Sequence, residues 1–323
     1  MLLDVAFIIG GLILLFVGGD LLVRGSVNLA ARMGVSPLFV GLVLVGFGTS
    51  APELFASIEA VRVGAPGIAW GNVVGSNMAN TLLILGLAVV IAPFPVSRGT
   101  LLRDGGFGLL AAVALLVVAG LDTTRLLGVL LLVLLVLYLT YAYLSERSPA
   151  VPGGSDDAAA PGPVETVEAA PSRLGVDLLT TLGGLALIIV GGNLLVGGAR
   201  DVAASFGLSD TLIGLTIVAI GTSAPELATS AVAAAKGQGG IAFGNVLGSN
   251  IYNILGIGGV TAVIAPGSLP GEMTTLEIPL LAVTALALLV FARTGHRFNR
   301  WEGVVLLAGY AAYLAVAIVR ATG

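Results

Sequence analysis

Glu53 and Glu226 are the side chains best placed to do chemistry, because each sits in a copy of one phrase. Gly-Thr-Ser-Ala-Pro-Glu occurs at Gly48–Glu53 and again at Gly221–Glu226. A second phrase, Gly-Asn-Val-x-Gly-Ser-Asn, follows each at Gly71–Asn77 and Gly244–Asn250. The register between copies is constant, so Ser76 maps to Ser249 and Asn80 to Asn253. Both glutamates fall in membrane-spanning runs. A carboxylate there costs roughly 2.5–3.5 kcal/mol on insertion scales, so it needs a functional reason.

The residues around each glutamate offer oxygen and nothing softer. Thr49, Ser50 and Glu53 come from the first copy; Thr222, Ser223 and Glu226 come from the second. Ser76 and Asn80 are four residues apart and share a helical face, as do Ser249 and Asn253. Pro52 and Pro225 remove a backbone donor inside a helix, and nearby glycines let the chain leave it. Discontinuous helices are expected, with unwound carbonyls near Gly46–Gly48 and Ala219–Gly221 facing a cavity. Carbonyls and side chains together supply the six to eight oxygens that Ca²⁺ usually takes. Two carboxylates balance one divalent ion, and a set without nitrogen or sulfur favours hard cations.

Other polar residues read differently. Isolated Ser, Thr and Asn in such helices commonly serve packing and interhelical hydrogen bonds, the reading given to Ser57, Ser230, Asn77 and Asn250. Asn72 and Asn245 are expected to cap or start helices. Glu59 has no counterpart, since Val232 stands there, and is expected near a membrane interface. Asp20, matched by Asn193, reads as a structural residue near a helix end.

The elements that must position these residues follow from composition. The chain is 57% hydrophobic and 10% charged, far from the soluble average of roughly 25% charged. Apolar runs of about 18 residues or more recur from end to end, which marks a polytopic helical membrane protein. The alternating segments of a transmembrane β-barrel are absent from the sequence. There are no cysteines, which excludes disulfides and thiolate chemistry, and the single histidine, His296, sits in an arginine-rich loop. Nothing in the charge pattern points to a nucleic-acid partner. No cofactor and no obligatory protein partner is implied; the bilayer is the surrounding.

Ten helices are expected, near 3–22, 37–61, 70–91, 105–121, 126–144, 176–196, 210–234, 241–265, 277–293 and 302–320. The first is read as a membrane helix and not as a signal peptide, for want of a basic leader and a cleavage site. One polar stretch rich in Pro, Gly, Ala, Asp and Glu reads as a disordered acidic linker over 146–174. It separates a first repeat, 1–145, from a second, 175–323. Its acidic residues could bind Ca²⁺ weakly but fit a solvated spacer. Five helices per half is an odd number, so the second half enters from the opposite side and the repeats are inverted. With both termini outside and the linker cytoplasmic, Arg24, Arg32, Arg98, Arg103, Arg147, Arg173, Lys236, Arg293, Arg297 and Arg300 lie inside, as the positive-inside rule expects.

At these motifs, each followed by Gly-Ser-Asn-x-x-Asn, the chain resembles the cation/Ca²⁺ exchanger superfamily, specifically prokaryotic sodium/calcium antiporters. The resemblance covers nearly everything but the linker. It implies an all-α fold of ten membrane helices in two inverted five-helix repeats, with helices two and seven discontinuous at a central ion site. It makes Glu53 and Glu226 shared Ca²⁺/Na⁺ ligands and Thr49 and Thr222 further Ca²⁺ ligands. Ser50, Ser76, Ser223 and Ser249 would contribute to flanking Na⁺ sites, and Asn80 and Asn253 would complete the central one. Asn at 253, where some relatives carry Asp, resembles the K⁺-independent members.

The implied activity is secondary antiport in the cell (inner) membrane by alternating access: Ca²⁺ leaves while Na⁺ enters, with about three Na⁺ per Ca²⁺. One net charge per cycle is worth about 2.3 kcal/mol per 100 mV. A Ca²⁺/H⁺ exchanger of the same fold and a passive cation channel are the alternatives. An enzyme is not expected, since neither His-Glu-x-x-His nor Gly-x-Gly-Asp occurs.

Overall fold

The computed structural model describes residues 2–121, 123–147, 174–205, 222–267, 269, 273–293 and 295–322. The linker expected over 146–174 lies outside the described residues, apart from Glu146 and Arg147, which finish a helix, and Leu174, which starts one. The first part of the seventh predicted helix, 210–221, lies outside them as well.

The protein is an all-helical membrane protein. Its helices are α1 (Leu2–Met33), α2 (Pro37–Arg62), α3 (Pro66–Ile91), α4 (Arg98–Ala119) and α5 (Arg125–Arg147). Then follow α6 (Leu174–Ser205), α7 (Ala224–Ala235), α8 (Gly239–Ile264), α9 (Met273–Arg293) and α10 (Arg300–Thr322). Among the described residues, all but α7 are long and apolar enough to cross a membrane alone.

Two helices are longer than their hydropathy indicates. α1 runs to Met33 rather than 22, and α6 to Ser205 rather than 196. At 1.5 Å per residue, α1 is about 48 Å long, well beyond a hydrocarbon core of about 30 Å. The charges that suggested an end are neutralised by partners. Asp20, mid-helix and not near an end, takes Arg24 at 2.8 Å and also pairs with Lys236, the residue that closes α7. Further along, Asn28 and Arg32 both donate to Asp177 of α6.

α1 and α6 run antiparallel along a seam of glycines spaced by seven: Gly11, Gly18 and Gly25 against Gly184, Gly191 and Gly198. The backbones nearly touch. A Cβ on Gly11 would come 2.7 Å from Gly191 O, and one on Gly198 would come 2.5 Å from Asp4 O. Side chains of any size would force the pair apart, which is how small residues hold membrane helices together.

The remaining helices interlock across the repeats. α5 of the first half crosses α8 of the second where Gly128 faces Gly259, and α10 crosses α3 where Gly303 faces Gly86. Gly86 and Gly259 are repeat counterparts, and so are Gly128 and Gly303 once the two-residue longer loop before α10 is counted, so each half is completed by the other. The buried core between them centres on Trp70, Tyr138, Phe243 and Phe298.

α4 starts seven residues before the predicted 105, because Arg103 and Asp104 are satisfied internally. Arg103 donates to both carboxylate oxygens of Asp104 and to Glu146 at 2.8–2.9 Å. Tyr138 donates to Asp104, and the Ser36 N–H at the start of α2 donates to Glu146. Glu59, by contrast, is exposed beside Arg62.

Candidate functional site

The two halves of α2 meet at Ser50, whose φ of −84° and ψ of 2° leave the helical range. Ser223, its repeat partner, has φ −92° and ψ 12° just before α7. In each case the proline follows as the second residue of the new helix, where a missing N–H costs nothing. The interruption in α2 is narrower than the sequence suggests. Gly46–Thr49 is a helical turn and not an unwound stretch, because a wider π-turn over Gly41–Val45 absorbs the change of register before it. Ala219–Gly221 lies outside the described residues.

α2 reaches the centre by crossing α8 backbone to backbone. A Cβ on Gly41 would lie 2.7 Å from Ile241 O, and one on Gly46 would lie 3.0 Å from Ser249 N. This approach brings the two motif copies together. Ser50 donates to Glu226 Oε1 at 3.0 Å, from one repeat to the other. Thr49 is 3.1 Å from Asn245 Oδ1 and 3.0 Å from Val45 O. Ser249 reaches Gly46 O at 3.3 Å, and Asn253 donates to Ser76 Oγ at 2.9 Å. Thr49, Ser50, Glu53, Ser76, Asn80, Ser223, Glu226, Ser249 and Asn253 are all buried; Thr222 is half-buried.

Seven of the buried side-chain atoms without a protein partner, among the described residues, belong to predicted ligands. They are both oxygens of Glu53, Oε2 of Glu226, Oδ1 and Nδ2 of Asn80, Oδ1 of Asn253 and Oγ of Ser223. Buried polar atoms are normally bonded, so this concentration at one place asks for a partner the protein does not supply. Hard cations fit: the donors are carboxylate, amide and hydroxyl oxygens. Among the described residues no cluster of three or more His, Cys, Asp or Glu side chains exists, so the site relies on neutral oxygens around two acids.

Asn80 and Asn253 each stand in a π-turn, Ala79–Ile84 and Tyr252–Ile257. A π-turn inserts a residue into the helix and re-aims its face, and such turns recur at functional sites.

Asn72 and Asn245 do not cap or start their helices as the sequence suggests; both lie within them and clamp the interrupted ones. Asn72 Nδ2 donates to the Glu53 carbonyl at 3.0 Å and to Ser57 at 2.9 Å. Asn245 Nδ2 donates to the Glu226 carbonyl at 3.3 Å and to Ser230 at 2.9 Å. Each asparagine thus fixes the backbone of the glutamate in its own repeat. Their shared place in both copies of Gly-Asn-Val was the signal available in the sequence.

Comparison with known proteins fits this geometry. The family described as sodium/calcium exchanger protein matches residues 3–144 and 176–319. The chain belongs to the sodium/calcium exchanger family. It is 36% identical to sodium/calcium exchanger MaX1 of Methanosarcina acetivorans, over 95% of this chain and 96% of that one. It is also 36% identical to inner membrane protein YrbG of Escherichia coli, over 98% and 97%. The solved sodium-calcium exchanger NCX_Mj superposes with a TM-score of 0.84 at 32% identity, covering 98% of this chain and 99% of that one. NCX_Mj has been studied soaked with Na⁺ and Sr²⁺. A member of this family is a transporter and not an enzyme, and its membership establishes cation/calcium exchange as its class of activity.

Proposed function

We propose that the protein extrudes Ca²⁺ in exchange for Na⁺, with both ions using the oxygen cage between the repeats. One observation carries the reading: Glu53 and Glu226 are fully buried, and three of their four carboxylate oxygens have no protein partner. Two unpaired buried carboxylates repel each other and lack solvation. A divalent cation neutralises both at once, whereas alkali ions must share the cage through the flanking hydroxyls. In this reading Thr49 and Thr222 add ligands for Ca²⁺, and Ser50, Ser76, Ser223 and Ser249 contribute to Na⁺ positions. Asn80 and Asn253 close the centre.

The proposed setting is the inner membrane, with both termini outside and the 146–174 linker in the cytoplasm. The units are the first repeat 1–145 and the second repeat 175–323. Access would alternate by sliding of the α1/α6 pair across the other helices.

The test is uptake of radiolabelled Ca²⁺ into proteoliposomes loaded with Na⁺ and diluted into Na⁺-free buffer. Uptake that needs the Na⁺ gradient, and vanishes in Glu53→Gln and Glu226→Gln, is the expected result. Uptake driven only by a pH gradient would replace Na⁺ with H⁺. Wild-type flux in both variants would overturn the site.

A further inference from the structure

A second polar feature lies far from the ion cage, where two loops are stitched together. Val96 N–H donates to His296 O at 2.8 Å and Phe298 N–H to Phe94 O at 2.9 Å, bridging Pro95 to Arg297. Phe94, Phe298 and Phe243 pack beneath this bridge, with ring centroids 5.5 Å apart for Phe94–Phe298 and Phe243–Phe298. His296 is held there at φ 53°, a conformation uncommon for any residue but glycine. The stitch fixes Arg98, at the start of α4, beside Arg293 and His296 at the end of α9. These three line a cavity of about 360 Å³ whose other walls are Leu101, Leu102, Gly106 and Leu289.

Among the described residues no carboxylate forms an ion pair with Arg98, Arg293 or His296. Two guanidiniums share one apolar-walled cavity with no counter-charge among the described residues, and the N-terminal end of α4 adds its positive dipole. An anion would complete such a site. The leucine walls and the 66% exposed Leu102 say that it carries hydrocarbon.

The inverted repeat supplies an internal control. The same stitch recurs at the other end of the bundle, where Thr123 and Gly267 exchange backbone hydrogen bonds of 2.8 and 2.9 Å. In the sequence, however, Arg98 corresponds there to Gly271 and Arg293 to Gly120. The loop that carries His296 is two residues longer, 294–299 against 121–124. The fold therefore needs the stitch at both ends but the cations at only one.

We propose that this basic cavity holds the phosphate headgroup of an anionic membrane phospholipid, with an acyl chain along Leu102 and Leu289. Phosphate between two arginines is well matched, and basic pockets between membrane helices are a known form of headgroup site. On the topology proposed above, Arg98 and Arg293 face the cytoplasmic leaflet; the binding site itself does not depend on that topology.

Native mass spectrometry of the full chain in detergent tests this without any transport readout, so its outcome is independent of the antiport reading. Phosphatidylglycerol is titrated against the wild type, Arg98→Gln/Arg293→Gln, and a control pair, Arg62→Gln/Arg125→Gln. Loss of about fivefold in affinity per guanidinium removed is expected at the cavity, and no change in the control pair. Phosphatidylcholine should not distinguish the proteins. Arg98→Lys/Arg293→Lys, which keeps the charge, should retain most binding, and the single glutamine variants answer the question should the double variant not purify. Equal phosphatidylglycerol affinity in wild type and cavity variants would overturn the site. Displacement of the lipid by inorganic phosphate at equal concentration would overturn the lipid as its occupant.

Discussion

Ser50 in the first repeat donates its hydroxyl proton to Oε1 of Glu226 in the second, at 3.0 Å. One oxygen of the proposed cage is thus held by the opposite half of the protein, while both oxygens of Glu53 lack a full hydrogen bond. The mirror contact is looser: Ser223, the repeat counterpart of Ser50, stands beside Glu53 without closing a full hydrogen bond. With a cation in the proposed cage Glu226 carries its charge, and Ser50→Ala then removes a hydrogen bond to it worth about 1.5–3 kcal/mol. The Na⁺ concentration needed for half-maximal Ca²⁺ uptake should rise about tenfold or more, with protein level in the membrane unchanged. A Na⁺ titration of Ca²⁺ flux measures this; an unaltered titration curve would remove Ser50 from the cage.

Asn72 and Asn245 act on the site through the backbone. Each ties the carbonyl of its glutamate and a serine four residues further on to a neighbouring helix. Interhelical hydrogen bonds in membranes average about 0.6 kcal/mol and reach about 1.7, so Asn→Ala at either position should cost roughly 1–2 kcal/mol. A lower midpoint of thermal unfolding in detergent is expected for both, together with weaker Ca²⁺ protection against unfolding. A variant that melts like wild type with and without Ca²⁺ would show that the clamp is idle.

Much of this arrangement is legible in the sequence, and the gaps have physical causes. The constant register between Glu53 and Glu226, and between Asn80 and Asn253, announces both the repeat and the convergence of the motifs. The length of α1 is not legible, because Asp20, Arg24 and Arg32 read as a helix leaving the membrane until their partners Lys236 and Asp177 are known. The role of Asn72 is hidden for a similar reason. Its acceptor is a main-chain carbonyl 19 residues away, and no side-chain pattern marks it. The confinement of the α2 interruption to Ser50 depends on the π-turn at Gly41–Val45, which has no compositional signature.

The glycine seam between α1 and α6 makes a position-specific prediction. A Cβ on Gly18 would sit 2.8 Å from Gly184 O, and one on Gly184 would sit 2.5 Å from Leu22 N. Gly10 and Gly183, on the same helices, have nothing within 4 Å. Gly18→Val and Gly184→Val should separate the helices and abolish flux, at a cost of about 1–3 kcal/mol or more in stability. Gly10→Ala and Gly183→Ala should transport like wild type. Comparing the four in Ca²⁺ flux and in detergent stability checks the seam; equal behaviour would mean the close approach has no role in holding the pair.

The pairing of Asp20 with Lys236 breaks the symmetry of the repeats. Their counterparts are Asn193 and Val63, which cannot form an ion pair. On the proposed topology Lys236 lies at the cytoplasmic end, so the pair, with Gly19 packed on Val232, holds α1 against α7 on that side. Both side chains are partly exposed, so the pair is worth only about 0.5–1 kcal/mol. Lys236→Met should therefore raise the population open to the cytoplasm about two- to fivefold. The absence of native cysteine makes this measurable. A thiol introduced by Ala234→Cys, buried in α7, should react faster with an impermeant maleimide on inside-out vesicles when Lys236 is also replaced. The complementary change, Asn193→Asp with Val63→Lys, places an equivalent pair at the outer end and should favour closure there, raising the same cytoplasmic reactivity by a different route. Slower labelling in either variant would mean that these charges do not set the balance between the two states.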